Sequence, residues 1–245
     1  MCQLRGLVLI TAALVWQGPV LAAGGQGCTE HANNDVGNVA SLQRGARNFV
    51  NYCMGCHSAK YARYNRLGQD LGITEDQLVA NLMFAAEKPH ETMQVSMPED
   101  DAQRWFGQIP PDLSLIARSR GSDYLYNFLK SFYLDDTKPT GVNNLCLENA
   151  SMPHVLWELQ GFQRRVETAD DEHGFDGPSL ELVAQGALSP EDYDHFVRDT
   201  VNFLEYIGEP VQLERRRLGV WVLAFLFVFG LFAYLLKNEL WKDVK

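Results

Sequence analysis

Cys53-Met54-Gly55-Cys56-His57 is the stretch from which the rest of the chain is read. Cys-x-x-Cys-His is the pattern for covalent attachment of a c-type haem. Two thiols three residues apart lie on one face of a helical turn, where both can reach the two vinyl groups of one porphyrin. The next residue, His57, is then held under the ring and can offer an imidazole nitrogen to the iron. Two other readings of the pair are weaker. A zinc site needs a second Cys pair or a His pair, and Cys146 has no such neighbour. A thioredoxin-like redox pair sits in a βαβ pattern that is missing here. The motif therefore predicts one covalent haem c, attached through Cys53 and Cys56, with His57 on the iron.

Working outward, two apolar runs flank the polar body of the 245-residue chain. At the N-terminus Arg5 precedes an apolar core at 7–15, and Val20-Leu21-Ala22 ends in small residues. That pattern reads as a secretory signal peptide, residues 1–22, cleaved near Ala22 or Ala23. Its core is too short to span a bilayer. The second run, 218–236, holds nineteen residues without a charge. At ~1.5 Å per residue it covers roughly 28 Å, close to the hydrocarbon thickness of a membrane. Arg215, Arg216 and Arg217 precede it, and Lys237, Lys242 and Lys245 follow. Trp221, Tyr234 and Trp241 lie near its ends, as interfacial anchors do. Basic residues flank both sides evenly and do not orient the span. A cleaved signal does: residues 23–214 lie outside as the haem domain, 215–237 cross, and 238–245 form a short cytoplasmic tail.

The acidity is concentrated in the exported part. Residues 23–214 hold 14 Lys and Arg against 29 Asp and Glu, a difference of −15, whereas the whole chain is −10. This excludes nucleic acid and an anionic membrane surface as partners and suits a basic protein. Without the signal four cysteines remain. Cys28 and Cys146 either bridge in an oxidising compartment or stay separate and buried.

Along the chain, 24–40 reads as a loop and Ser41 as the cap of a helix, 42–52, that delivers the motif. Leu42, Ala46, Phe49 and Val50 share a face for the porphyrin or a later helix. Thr74-Glu75-Asp76-Gln77 fits a capping box opening a helix to about Glu87. A short helix is expected at 99–106. Pro110-Pro111-Asp112 reads as the start of another, 113–120, and Ser122 as the cap of one through 134. Residues 135–151 form a loop, and 152–166 with 180–183 form a small hairpin. Ser189-Pro190-Glu191-Asp192 is a helix start, with Gly208 and Pro210 as its stop. The expected fold is mostly α: a single c-type-cytochrome haem domain with a small β-hairpin and one C-terminal transmembrane helix.

A second axial ligand decides between electron transfer and ligand chemistry, because iron held by His alone keeps an open site. Ser96-Met97-Pro98 and Ser151-Met152-Pro153 present methionines in the same local context, and spacing from His57 does not choose between them. Met83 fits a helix core, Met93 lacks the proline, and His90 and His154 are imidazole alternatives.

Together these residues resemble the cytochrome c1 family, the membrane-anchored haem subunit of the ubiquinol–cytochrome c reductase (bc1) complex. The likeness runs from the haem motif with Ser58, Tyr61 and Tyr64 through Pro110-Pro111-Asp112-Leu113-Ser114, with Arg118 and Arg120 just after. Thr140-Gly141-Val142, Met152-Pro153 and a single C-terminal anchor complete it. The segment between the motif and Trp105 is shorter than in mitochondrial members, as in a bacterial version anchored in the inner membrane with its haem domain in the periplasm. The resemblance implies Met152 as the second iron ligand, since the family's methionine follows the Thr-Gly-Val loop. It implies that Arg120 faces a haem propionate; from sequence alone a surface arginine at a helix end serves as well. It further implies a one-electron relay without a catalytic site of its own. The Rieske iron–sulfur protein donates, a cytochrome c accepts, and cytochrome b holds the quinone sites. The alternative is a membrane-anchored cytochrome c donating to a terminal oxidase or reductase.

Overall fold

The computed structural model describes residues 28–170 and 175–243. The signal-peptide reading of 1–22 lies outside them. Among the described residues helices dominate, joined by three two-stranded antiparallel sheets, and the last element is one long helix. The described residues divide into two compact units, one of 28–31 and 123–187, the other of 32–122 and 188–243.

The unit that carries the haem motif is built on two helices, α1 (Val39–Asn48) and α8 (Pro190–Gly208). The cap of α1 is Asn38 rather than Ser41: the Asn38 side chain accepts the Ser41 N–H at 3.1 Å. Ser41 lies within the first turn, and its hydroxyl accepts from Asn202 Nδ2 of α8 at 3.0 Å. The predicted apolar face is buried, with Ala46 and Phe49 both at 0 % exposure. Phe49 meets Phe203 of α8 at 5.6 Å between ring centroids. Burying an aromatic of this size contributes roughly 2–3 kcal/mol. Gly45 lets the helices close, since a Cβ there would run into the Asp199 carbonyl oxygen and Phe203. Arg44 then donates twice to the Asp199 carboxylate, at 2.5 and 2.9 Å. α8 starts as read, with the Ser189 hydroxyl accepting from Asp192 N–H at 3.1 Å and Pro190 in the first turn.

Strand β1 (Ala59–Arg63) follows the motif and pairs with β2 (Thr92–Met93). Between them lie α2 (Tyr64–Leu71) and α3 (Glu75–Asn81). The Thr74–Gln77 capping box is present. α3 stops at Asn81, short of the expected Glu87. The Asn81 amide takes the Gln77 carbonyl, and Leu82 and Met83 turn into the core. α4 (Glu99–Phe106) has its expected bounds, closed by Gly107 at φ 72°. α5 (Ile116–Arg120) is shorter than the predicted 113–120. Asp112 is the cause: it folds its carboxylate onto the Ser114 N–H at 2.9 Å, a turn that competes with helix.

In the other unit α6 (Ser122–Lys130) gives way to β3 (Phe132–Leu134), so the predicted helix to 134 is corrected. β3 pairs with β4 (Val142–Asn144). Asn144 donates to the Phe128 carbonyl at 2.8 Å, satisfying a group the helix end leaves open. α7 (Trp157–Gln160) interrupts the expected extended run. The hairpin itself is longer than read, β5 (Gly161–Asp170) against β6 (Phe175–Gln185). Cys28 and Cys146 are bridged, with Cα atoms 5.7 Å apart.

The last helix, α9 (Gln212–Leu240), has 29 residues, none of them buried, and a mean hydropathy of 2.4 over its most apolar window. It begins before the apolar run and is long enough to cross a bilayer.

Candidate haem site

α1 does not stop at Asn48 but widens into a π-turn, Phe49–Cys53. Met54 N–H donates to the Phe49 carbonyl at 2.9 Å, and His57 N–H to the Cys53 carbonyl at 2.9 Å. Such π-bulges recur at functional sites because they re-aim the side chains that follow. Here Cys53, Cys56 and His57 are half-buried while Met54, between them, is only 6 % exposed. Met54 turns inward, where Tyr64 donates its hydroxyl to the thioether sulfur at 3.5 Å. Gly55 faces open space.

Neither motif cysteine is in a disulfide, and Cys146, bridged to Cys28, is not available to join them in a metal set. Burial pushes the Cys53 thiol up to about 12, helped by the charge of Cys56, and burial also raises Cys56. Both therefore stay as protonated thiols at neutral pH.

His57 Nδ1 lies 2.7 Å from the Pro111 carbonyl oxygen. A carbonyl only accepts, so the proton sits on Nδ1 and the Nε2 lone pair is left for a metal. Burial lowers the His57 pKa, with the Pro111 bond and Asp112 opposing, which keeps the ring in its neutral, metal-binding form. Pro111 is itself held in place. The Asp112 carboxylate accepts from the N–H groups of Lys60 and Ser114, each at 2.9 Å. Leu113 N–H donates to the Ser58 carbonyl at 2.8 Å. Pro110 to Ser114 is thus a strap laid against the chain just after the motif. The sequence singles out this segment but predicts a helix start there; the roles of Pro111 and Asp112 come from the tertiary contact.

Of the remaining predicted residues, Arg120 is exposed at the end of α5, in the same unit as His57. Met152 and Met97 are both half-buried in loops. Met83 and Met93 are core residues, at 7 % and 0 % exposure. His90 is exposed, and its carbonyl accepts from Arg63 at 2.6 Å. His154 is buried, its ring stacked on Phe132 at 5.1 Å, and burial lowers its pKa to about 4.

The cytochrome C1 family model matches residues 33–171 and 179–244. The chain belongs to the cytochrome c1 family. Over 98 % of its length it is 51 % identical to a cytochrome c1 from the bacterium Allochromatium vinosum, all of which is covered. A protein named ammonia monooxygenase gamma subunit, from Nitrosomonas europaea, is 43 % identical over 86 % of both chains. A cytochrome b/c1 from Bradyrhizobium diazoefficiens is 26 % identical over 83 % of this chain and 33 % of its own. Membership brings a haem cofactor, electron transport and a place in the cytochrome bc1 complex. The site fits that cofactor: two unpaired thiols on one turn, beside a neutral imidazole whose Nε2 no described residue engages. For a cytochrome c1, α9 is the membrane segment.

Proposed function

We infer that this cytochrome c1 family protein holds one haem c covalently through Cys53 and Cys56, with His57 and Met152 on the iron. It relays single electrons from the Rieske iron–sulfur protein to a cytochrome c. The observation that carries this reading is the His57–Pro111 contact beside two unpaired thiols. A bound haem supplies the one-electron ferric/ferrous couple. Every other function belongs to the chain. Cys53 and Cys56 would hold the group as thioethers, each thiol lying free on the motif turn. His57 would hold the iron through Nε2, with Pro111 fixing its tautomer and raising its basicity. Met152 would hold the iron through a neutral thioether, a ligand that raises the potential and excludes outside ligands. Arg120 is assigned to a propionate.

In this reading residues 1–22 leave as the signal and 23–214 stand in the periplasm. Residues 215–237 anchor the chain in the bacterial inner membrane, with 238–245 in the cytoplasm. Cytochrome b is the membrane partner and supplies the quinone sites. The −15 balance of residues 23–214 attracts a basic acceptor, with a gain of about tenfold to a thousandfold in association rate at low salt. Transfer to the acceptor should slow as salt rises.

The test is gentle purification of the membrane complex with subunit identification and a haem spectrum. Cytochrome b, a Rieske protein and a covalent c-type haem are expected. Co-purification with a terminal oxidase or reductase, or with a monooxygenase, in place of cytochrome b would overturn the assignment.

A further inference from the structure

A cavity of about 220 Å³ opens beside the root of α9. That is far more than the ~15 Å³ a single water needs. Val39, Leu42, Leu71 and Leu213 form its apolar wall. Its depth in a membrane follows from helix geometry. Leu213 lies five residues before the uncharged run that begins at Leu218. At ~1.5 Å per residue this is roughly 7 Å above the hydrocarbon edge, within the headgroup layer.

The polar wall carries both signs. The Arg66 side chain is 51 % exposed and donates from Nε to Asp70 at 2.6 Å. Tyr206 donates its hydroxyl to the same carboxylate oxygen at 2.7 Å. Glu209, also on the wall, is paired with Arg118 and Arg215. Two acceptors are left over. The Glu214 side chain makes no hydrogen bond among the described residues, although it lies within electrostatic reach of Arg66. Gln212 Oε1 is buried and has no hydrogen-bond partner among the described residues, its Nε2 donating to Glu205. An unpaired buried acceptor is costly and calls for a donor. The wall thus offers a guanidinium for a phosphate, and a carboxylate and an amide oxygen for an ammonium. An anionic glycerol headgroup brings no donor cation and meets Asp70 and Glu214.

We propose that this cavity binds the headgroup of a zwitterionic, phosphatidylethanolamine-type phospholipid, its phosphate on Arg66 and its ammonium on Glu214 and Gln212. Its acyl chains run down the exposed surface of α9. The proposal rests on α9 crossing the bilayer and not on the identity of the iron ligands, so it fails separately from them.

The experiment uses the intact complex, delipidated in detergent and then incubated with phosphatidylethanolamine or phosphatidylglycerol. Bound lipid is counted by native mass spectrometry. Wild type should keep one phosphatidylethanolamine that Arg66→Gln and Glu214→Gln each retain about tenfold less well, the loss of one charged hydrogen bond. Phosphatidylglycerol should not take its place. Haem content and the visible spectrum report folding, and if Arg66→Gln fails to assemble, Glu214→Gln decides. Equal phosphatidylethanolamine retention by wild type and variant, or equal retention of phosphatidylglycerol, would sink the proposal. So would a photo-crosslinker at Leu213 that captures a neighbouring subunit instead of lipid.

Discussion

The imidazole of His57 donates to the carbonyl oxygen of Pro111 at 2.7 Å, across 54 residues of chain. The bond sets the tautomer and aim of the ring. Asp112, which ties the strap to Lys60 and Ser114, is the side chain that keeps Pro111 there. Asp112→Ala should loosen the bond, make His57 a weaker donor and remove a negative charge from its vicinity. Both effects favour the reduced iron, so the midpoint potential should rise by about tens of millivolts. Redox titration of the purified complex measures this; a fall in potential contradicts the assigned role.

Met152→Ala should open the sixth position. Ferrous protein should then bind carbon monoxide, and the ferric sulfur–iron charge-transfer band should vanish. Met97→Ala should do neither. The reverse pattern would transfer the ligand role to Met97, which has the same Ser-Met-Pro context and a similar half-buried loop position.

Glu209 sits between Arg118 of α5, at 2.5 Å, and Arg215 of α9. The hydrogen bond from Arg215 comes first among the causes that hold its carboxyl below the usual range, with attraction to Arg118 adding to it. The folded pKa is thus lower than the unfolded one. The contribution to stability is complete above the ordinary glutamate value, about 4.3, and is lost as pH falls through the lower folded value. Glu209→Gln should therefore destabilise the protein at neutral pH, and its difference from wild type should shrink on acidification below that range. Thermal unfolding by circular dichroism across pH is the measurement. A difference that grows toward acid would contradict it.

Cys28 and Cys146 close a loop of 118 residues in sequence separation. Loops of that length give about 3–5 kcal/mol through restriction of the unfolded chain. Replacing both by serine should lower the denaturant midpoint by a corresponding amount and leave the haem spectrum in place. If the double variant also changes iron ligation, the bridge does more than restrict the chain.

Much of this protein was legible before folding. The Cys53–His57 turn, the Ser189–Pro190 helix start, the Thr74 capping box and the span within α9 are all local. Each depends on residues within a few positions of one another, so spacing and side-chain chemistry suffice. The misreadings share a different cause. Asn38 and Ser41 compete for one cap, and the choice rests on Asn202 of α8. α6 ends at Lys130 because Asn144 arrives to take the Phe128 carbonyl. β1, for which the sequence carries no reading, becomes a strand only beside β2, some thirty residues on.

The sequence by itself determined the Cys-x-x-Cys-His pattern, which helices start cleanly and which segment is long and apolar enough to cross a membrane. Only the tertiary structure decided which carbonyl orients His57, that Cys28 meets Cys146, and that Arg66, Gln212 and Glu214 surround one cavity at the anchor's root. The physical reason is range. A cap or an apolar run is satisfied by its own neighbours. A carbonyl, a thiol or a buried amide is completed by groups far along the chain, which packing alone brings near.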